Sequence, residues 1–187
     1  VNKRLRDLVL LGSLAAGSCL LAAAALADGD DRGGVLHAGI IGYQEVPVVS
    51  TTGQGVFRAR IDRATGEIDY QFSYKQMQGS VAQAHIHFGQ RGVNGGIAVW
   101  LCQSATNPAP ASVAATTPQC TSPDGSFSGR ITAASVVGPG GAQQLGAGEL
   151  AEFVAALRAG LAYANVHTNV SPGGEIRGQI GSLHHFH

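Results

Sequence analysis

The stretch G-Q-G-V-F-R-A-R-I-D-R-A-T-G-E-I-D-Y-Q-F-S-Y-K, from Gly53 to Lys75, alternates apolar and polar residues on both sides of a short turn. Phe57, Ala59 and Ile61 stand opposite Arg58, Arg60 and Asp62, and Ile68, Tyr70, Phe72 and Tyr74 alternate with polar neighbours up to Lys75. Between them R-A-T-G supplies a turn that ends in glycine. A period of two marks a half-buried strand, and two such runs about a glycine-bearing loop read as a β-hairpin. Further strands are expected at 81–88, 97–102, 127–133, 161–168 and 175–180. One segment differs: residues 149–160 carry Leu150, Phe153, Val154 and Leu157 at helical spacing and stop at Gly160. Many short strands, glycine-rich turns and one short helix predict an all-β fold, an antiparallel β-sandwich or flattened Greek-key barrel.

The N-terminal segment reads as something other than this domain. Lys3, Arg4 and Arg6 precede an apolar run from Leu8 to Leu26, and Ala25-Leu26-Ala27 before Asp28 fits signal-peptidase cleavage. Residues 1–27 are therefore expected to be a secretory signal, with an uncleaved membrane anchor or a lipoprotein signal at Cys19 as alternatives. Residues 28–35 form an acidic, glycine-rich lead-in expected to be flexible, 36–181 the folded domain and 182–187 a histidine-rich tail. Without residues 1–27 the chain carries a slight negative charge and no basic stripe, which argues against a nucleic-acid partner. The expected location is exported, periplasmic or extracellular. Cys102 and Cys120 are then the remaining pair, most simply a disulfide in an oxidising compartment; a catalytic or copper-ligating cysteine is the alternative. The loop they close is rich in Ala, Pro, Ser and Thr, a composition that predicts no packing of its own.

Three histidines carry the chemistry. In H-I-H-F-G, from His85 to Gly89, the two imidazoles point to one side of a strand while Ala84, Ile86 and Phe88 point to the other. In L-A-Y-A-N-V-H-T, Ala162, Ala164 and Val166 form the buried parity, so His167 also faces away from the core. If the two strands are neighbours, His85, His87 and His167 converge on one transition-metal ion, copper or, second, zinc. The structural alternative is that the ring nitrogens tie down backbone carbonyls beneath loops, with no metal at all. The cupin pattern fails because no glutamate follows the histidine pair at the required spacing. A blue-copper site fails because Met77 is the only methionine and the cysteines look paired. No G-x-S-x-G nucleophile elbow or phosphate-cradling loop is present.

Three blocks, G-Y-Q-E-V-P-V-V-S-T-T-G-Q-G (Gly42 to Gly55), A-H-I-H-F-G with the following N-G-G, and Y-A-N-V-H-T with P-G-G-E-I-R-G-Q-I, resemble the CHRD, or chordin-type, domain. The resemblance runs from about Leu36 to Ile180. It implies an immunoglobulin-like β-barrel, inferred for the family from limited similarity to copper/zinc superoxide dismutases, and it implies no settled activity. H-I-H-F-G looks like the dismutase copper segment, the strand with His167 looks like the one bearing another copper histidine, and Arg177 lies near the place of the arginine that guides superoxide. The bridging and zinc histidines have no counterpart, since no histidine occurs between Phe88 and Val166. A fourth ligand would have to come from His37 or from the tail, His184, His185 and His187. The expectation is metal binding or slow redox chemistry rather than efficient dismutation. The rival is a metal-free module for an extracellular protein or polysaccharide, in which Asn165, Glu175 and Arg177 form a hydrogen-bond cluster with the histidines.

Overall fold

The computed structural model describes residues 34–182, so the signal and nearly all of the tail lie outside the described residues. Eight strands form one antiparallel sheet: β1 (Val35–Ile41), β2 (Gln54–Ile61), β3 (Ile68–Lys75), β4 (Val81–Phe88), β5 (Gly96–Cys102), β6 (Gly125–Ile131), β7 (Ala162–Thr168) and β8 (Ile176–Ser182), in the order β5-β4-β7-β8-β1-β2-β3-β6. The expected hairpin is β2–β3, paired in unbroken register from Gln54–Lys75 to Ile61–Ile68. After β4, β5 and β6 the chain returns to lay β7 beside β4, the long return of a Greek key. Residues of both sheet edges, Val99 and Trp100 on β5 and Ser128 and Ile131 on β6, line one cleft together with Val113 and Thr117 of the intervening loop. That loop fills the seam where the sheet curls toward closure.

The core follows from the alternation. Leu36, Ala38 and Ile40 of β1, Phe57 and Ile61 of β2, and Ile68 and Phe72 of β3 are buried with Ala84 and Ile86 of β4, Leu101 of β5, Ala164 and Val166 of β7, and Ile176 and Ile180 of β8. Full burial of a large apolar side chain stabilises by roughly 1.5–3 kcal/mol. Helix α2 (Leu150–Arg158) adds Phe153 and Leu157 to this cluster. It stops where the spacing expects: Gly160 takes φ +70°, its N–H bonds the Leu157 carbonyl, and the Leu161 N–H bonds that of Ala156. These two bonds make a Schellman end, which glycine adopts without a Cβ penalty.

Three expectations need correction. β1 begins at Val35, inside the segment expected to be flexible, and its V-L-H-A-G-I-I alternation is a strand signal that the glycine-rich lead-in obscured. β8 continues to Ser182, one residue into the expected tail. The third correction concerns the loop closed by the Cys102–Cys120 disulfide, whose Cα atoms lie 5.0 Å apart. It does pack, around the buried amide of Gln103. The amide nitrogen donates to the carbonyls of Ala114 (2.8 Å) and Thr117 (2.7 Å), and its oxygen accepts the Ala109 N–H (2.9 Å). The one-turn helix α1 (Ala111–Ala114) and buried Val113 follow from that anchorage.

Three backbone groups therefore depend on one side chain. Gln103→Leu is expected to lower stability by about 2–4 kcal/mol, because buried polar groups left without partners cost roughly 1–3 kcal/mol each. Gln119→Leu, at an exposed position one residue before the second cysteine, should change it little. Denaturant midpoints of the two oxidised proteins check this.

Candidate metal centre

β4 and β7 are neighbours, and their register pairs Gln83 with His167, His85 with Asn165 and His87 with Tyr163. All six side chains share one face. His85 and His87 lie along β4, and His167 is the diagonal neighbour of His85 across the pair. β8 extends both rows, placing Arg177 beside Asn165 and Gln179 beside Tyr163. On the other side β5 skips Leu101 and Ala98 in its pairing with β4, so that Trp100 stands opposite His85 and Ile97 opposite His87. Bulges re-aim side chains in this way and are common beside functional sites.

The parity is as expected, but the face is not open to solvent. His85 is 0% exposed, His87 7% and His167 8%. Both faces of β7 and nearly all of β8 are buried, whereas β2 and β3 alternate for most of their length. Loops cover the second face, and alternation within a strand cannot reveal such a cover.

The three side chains offer ligand atoms that all lie within 4.8 Å of one another. The His87 Nδ1–H donates to the Gly95 carbonyl (2.9 Å) and the His167 Nδ1–H to that of Pro172 (3.0 Å). In neutral imidazole this leaves Nε2 as the bare acceptor. Both Nε2 atoms, and both nitrogens of His85, are buried without a hydrogen-bond partner. The structural reading of the histidines thus accounts for two ring nitrogens and leaves four unexplained. Nδ1 donation to a carbonyl is also how metal-binding histidines are commonly oriented.

The electrostatics suit a cation acceptor. Burial, followed by the neighbouring His167 and His87, holds His85 well below the usual imidazole range. Burial pushes His87 down to about 4, with the Gly95 carbonyl pulling up and His167 and Arg177 pushing further down. Burial also lowers His167, partly offset by the Pro172 carbonyl. All three are neutral near pH 7, with lone pairs available.

The other expected residues do not bond to the trio. Arg177, 2% exposed, lays its guanidinium 3.4 Å over the Tyr163 ring, and Tyr163 stacks on His87 with centroids 4.7 Å apart. Its N–H groups go to Asn94 Oδ1 (3.1 Å) and to the carbonyls of Val93 (2.7 Å) and Gln90 (3.3 Å). Arg177 therefore anchors the loop that presents Gly95. Asn165 donates to Glu45 and to the Ile176 carbonyl. Glu175 accepts from the hydroxyls of Thr51 (2.7 Å) and Thr168 (2.8 Å) and from the Gln78 N–H (2.8 Å), tying two loops to β7. None of these bonds ends on a histidine. His37 pairs in register with Arg58 and Gly181 and is not part of the trio. The tail histidines lie outside the described residues.

Sequence reasoning missed Glu45, Tyr163, Trp100 and the two carbonyl-bearing loops. Glu45 lies in the quoted G-Y-Q-E-V-P block, but nothing in its spacing signals burial. Gly95 and Gly174 were legible as glycines only. A Cβ on Gly95 would run into the Phe88 carbonyl, and one on Gly174, at φ +126°, would strike the Glu45 carboxyl and the Asn165 amide.

The CHRD domain model matches residues 36–180, from the first core residue of β1 to the last of β8, with the three histidines, Arg177 and both cysteines inside. A search of curated proteins returned no match, and a search of solved structures returned none. The match spans far more than half of the sequence, and the chain belongs to the CHRD domain family.

Proposed function

We propose that this chain is an exported CHRD-domain protein that holds one transition-metal ion, copper, through His85, His87 and His167, for metal binding or slow redox chemistry. The observation that carries the reading is the convergence of buried, partnerless imidazole nitrogens, two of the rings being fixed by Nδ1–H donation to loop carbonyls. Each such nitrogen costs free energy unless its lone pair, or in one nitrogen of neutral His85 its N–H, meets a partner. Copper is favoured over zinc because nitrogen-rich sites bind divalent copper more tightly. When bound, copper supplies one-electron chemistry; the protein supplies three neutral ligands and a fixed guanidinium two rings away. Export is supported by the N-terminal sequence and by the disulfide. Among the described residues no helix is long and apolar enough to cross a membrane.

A second reading, a metal-free module for an extracellular protein or polysaccharide, is favoured by a different surface. The outward row Arg58–Gln71–Ser128 across β2, β3 and β6 is exposed and borders a shallow depression of about 640 Å³ flanked by Arg60 and Arg130. Metal content separates the readings.

Purified without an added histidine tag, the protein is expected to retain one tightly bound metal ion per chain, and deletion of residues 183–187 should leave that stoichiometry intact. His87→Ala with His167→Ala should abolish it. Plasma emission spectrometry after exhaustive dialysis reads the result, and loss of the ion on tail deletion alone would place the site elsewhere.

Acid stability follows from the same histidines. In the ion-free protein His87 holds off protonation to about 4, while in the unfolded chain it accepts a proton near 6.5. The unfolded state therefore binds more protons between those values, and stability falls as pH drops through them. The His87 contribution is roughly 3 kcal/mol over the full interval. His87→Phe, which keeps a ring against Tyr163, should flatten the dependence in thermal melts. Export makes a separate prediction: intact mass of the secreted protein should correspond to a chain starting at Asp28 without free thiols.

A further inference from the structure

Two carboxyl groups are buried among the described residues, Glu45 and Glu175. Glu175 accepts three donors from three segments, with both oxygens engaged, and is a fixed part of the scaffold. Glu45 stands differently. It lies just after β1, in the loop that folds over β7, and its partners are the Asn165 amide and the Val46 N–H. Asn165 is the register partner of His85 and lies between Tyr163 and His167 along β7. The carboxyl thus sits one residue away from the trio, and the backbone of Gly174 closes over it with no room for a side chain.

The trio itself brings no negative charge. A divalent ion held by three neutral imidazoles in a buried site keeps its full charge, and Arg177, which already depresses His87, adds to it. Such a charge away from water is costly unless an opposite charge is near. Glu45 is the group placed to supply it.

We propose that Glu45 is the counter-charge of the histidine site: entry of a cation among His85, His87 and His167 drives a proton from the Glu45 carboxyl to bulk water, and the carboxylate left behind offsets the ion. The inference rests on the reading that the trio binds a metal ion, and it assigns that site its charge regulation. Burial pushes the Glu45 carboxyl up to about 7, with Asn165, the Val46 N–H and Arg177 pulling the other way. The charged and titratable groups that face it are Arg177 from β8 and Tyr163 from β7, with Arg91 bonded to the adjacent Gln44. Near neutral pH the carboxyl therefore holds a proton part of the time. A nearby cation favours the ionised form, so binding releases that proton; above pH 8 Glu45 is already ionised and there is little to release. The histidines are neutral before the ion arrives and contribute none.

Calorimetric titration of the full chain, first stripped of its ion by a chelator, with Zn²⁺ in buffers of different protonation enthalpy counts the protons. The His87→Ala/His167→Ala protein serves as the blank for whatever the tail binds. The expected release is about half a proton near pH 7, fading above pH 8. Glu45→Gln, which keeps the size and an acceptor for Asn165, should still bind Zn²⁺ in a histidine-dependent way but release no proton. Its affinity should fall behind the parent's increasingly from pH 6 to pH 8, reaching roughly tenfold for one unit of linkage. An infrared difference spectrum of the unsubstituted, ion-free protein near pH 7 tests the same event: Zn²⁺ should bleach the protonated-carboxyl band. Undiminished release from Glu45→Gln, or an unchanged infrared band, would overturn the inference while leaving the metal site standing. No histidine-dependent heat in the parent protein would overturn both.

Discussion

The antiparallel pairing of β4 with β7 is the constraint on which the rest of the structure depends, because one register sets both the core and the site. Ala84, Ile86, Ala164 and Val166 face inward, all fully buried. A slip of one residue would turn those positions out and drive His85, His87 and His167 into the apolar interior. Each large apolar group misplaced would cost on the order of 1.5–3 kcal/mol, far more than any preference of an imidazole for its neighbours. The histidines are thus brought together by hydrophobic burial on the opposite face, and no metal is needed to choose the register.

A polar face made this way has to be covered. Three segments cover it, and each is fixed by side chains from the strands beneath. Arg177 and Tyr163 hold the segment from Gln90 to Gly95, the latter through the Tyr163 hydroxyl, which accepts the Gly95 N–H (3.1 Å). Asn165 holds the segment with Glu45, and the Pro172 loop accepts the His167 Nδ1–H and closes through Ser171 and Thr168. The cover satisfies its own backbone while orienting two imidazoles. It leaves the bare Nε2 atoms of His87 and His167 without a partner, and with them both nitrogens of His85, one a donor and one an acceptor in the neutral ring.

How much of this was legible in the sequence follows from what each signal measures. Period-two alternation gave the strands, because one face of β2 and β3 meets solvent and the other the core. The same rule fixed the side of the sheet on which the histidines lie, as it depends only on strand geometry. It could not give their burial, since the cover comes from loops just beyond the strand ends, whose course alternation does not encode: Gly95 lies between β4 and β5, Pro172 between β7 and β8. β1 gives only a weak signal because its other face carries His37, Gly39 and Ile41 rather than charged residues, although Leu36, Ala38 and Ile40 are fully buried. The packing of the disulfide loop is hidden for a related reason. Its composition offers little apolar surface, yet one buried amide, Gln103, does the organising through hydrogen bonds that composition does not encode.

The bare nitrogens also tie the site to the stability of the fold. Without an ion the protein keeps three neutral imidazoles buried with unmet acceptors, and each resists the proton that would otherwise satisfy it, because burial penalises the charged ring. The unfolded chain has no such difficulty, as water satisfies every ring. An ion that binds only the assembled trio therefore adds its binding free energy to folding. It acts where the cover loops and the β4–β7 register meet, and Glu45 and Arg177 lie in that same layer. The sheet does not require the ion for its register, but the covered face gains most from it, so ion binding should tighten the loops more than the core.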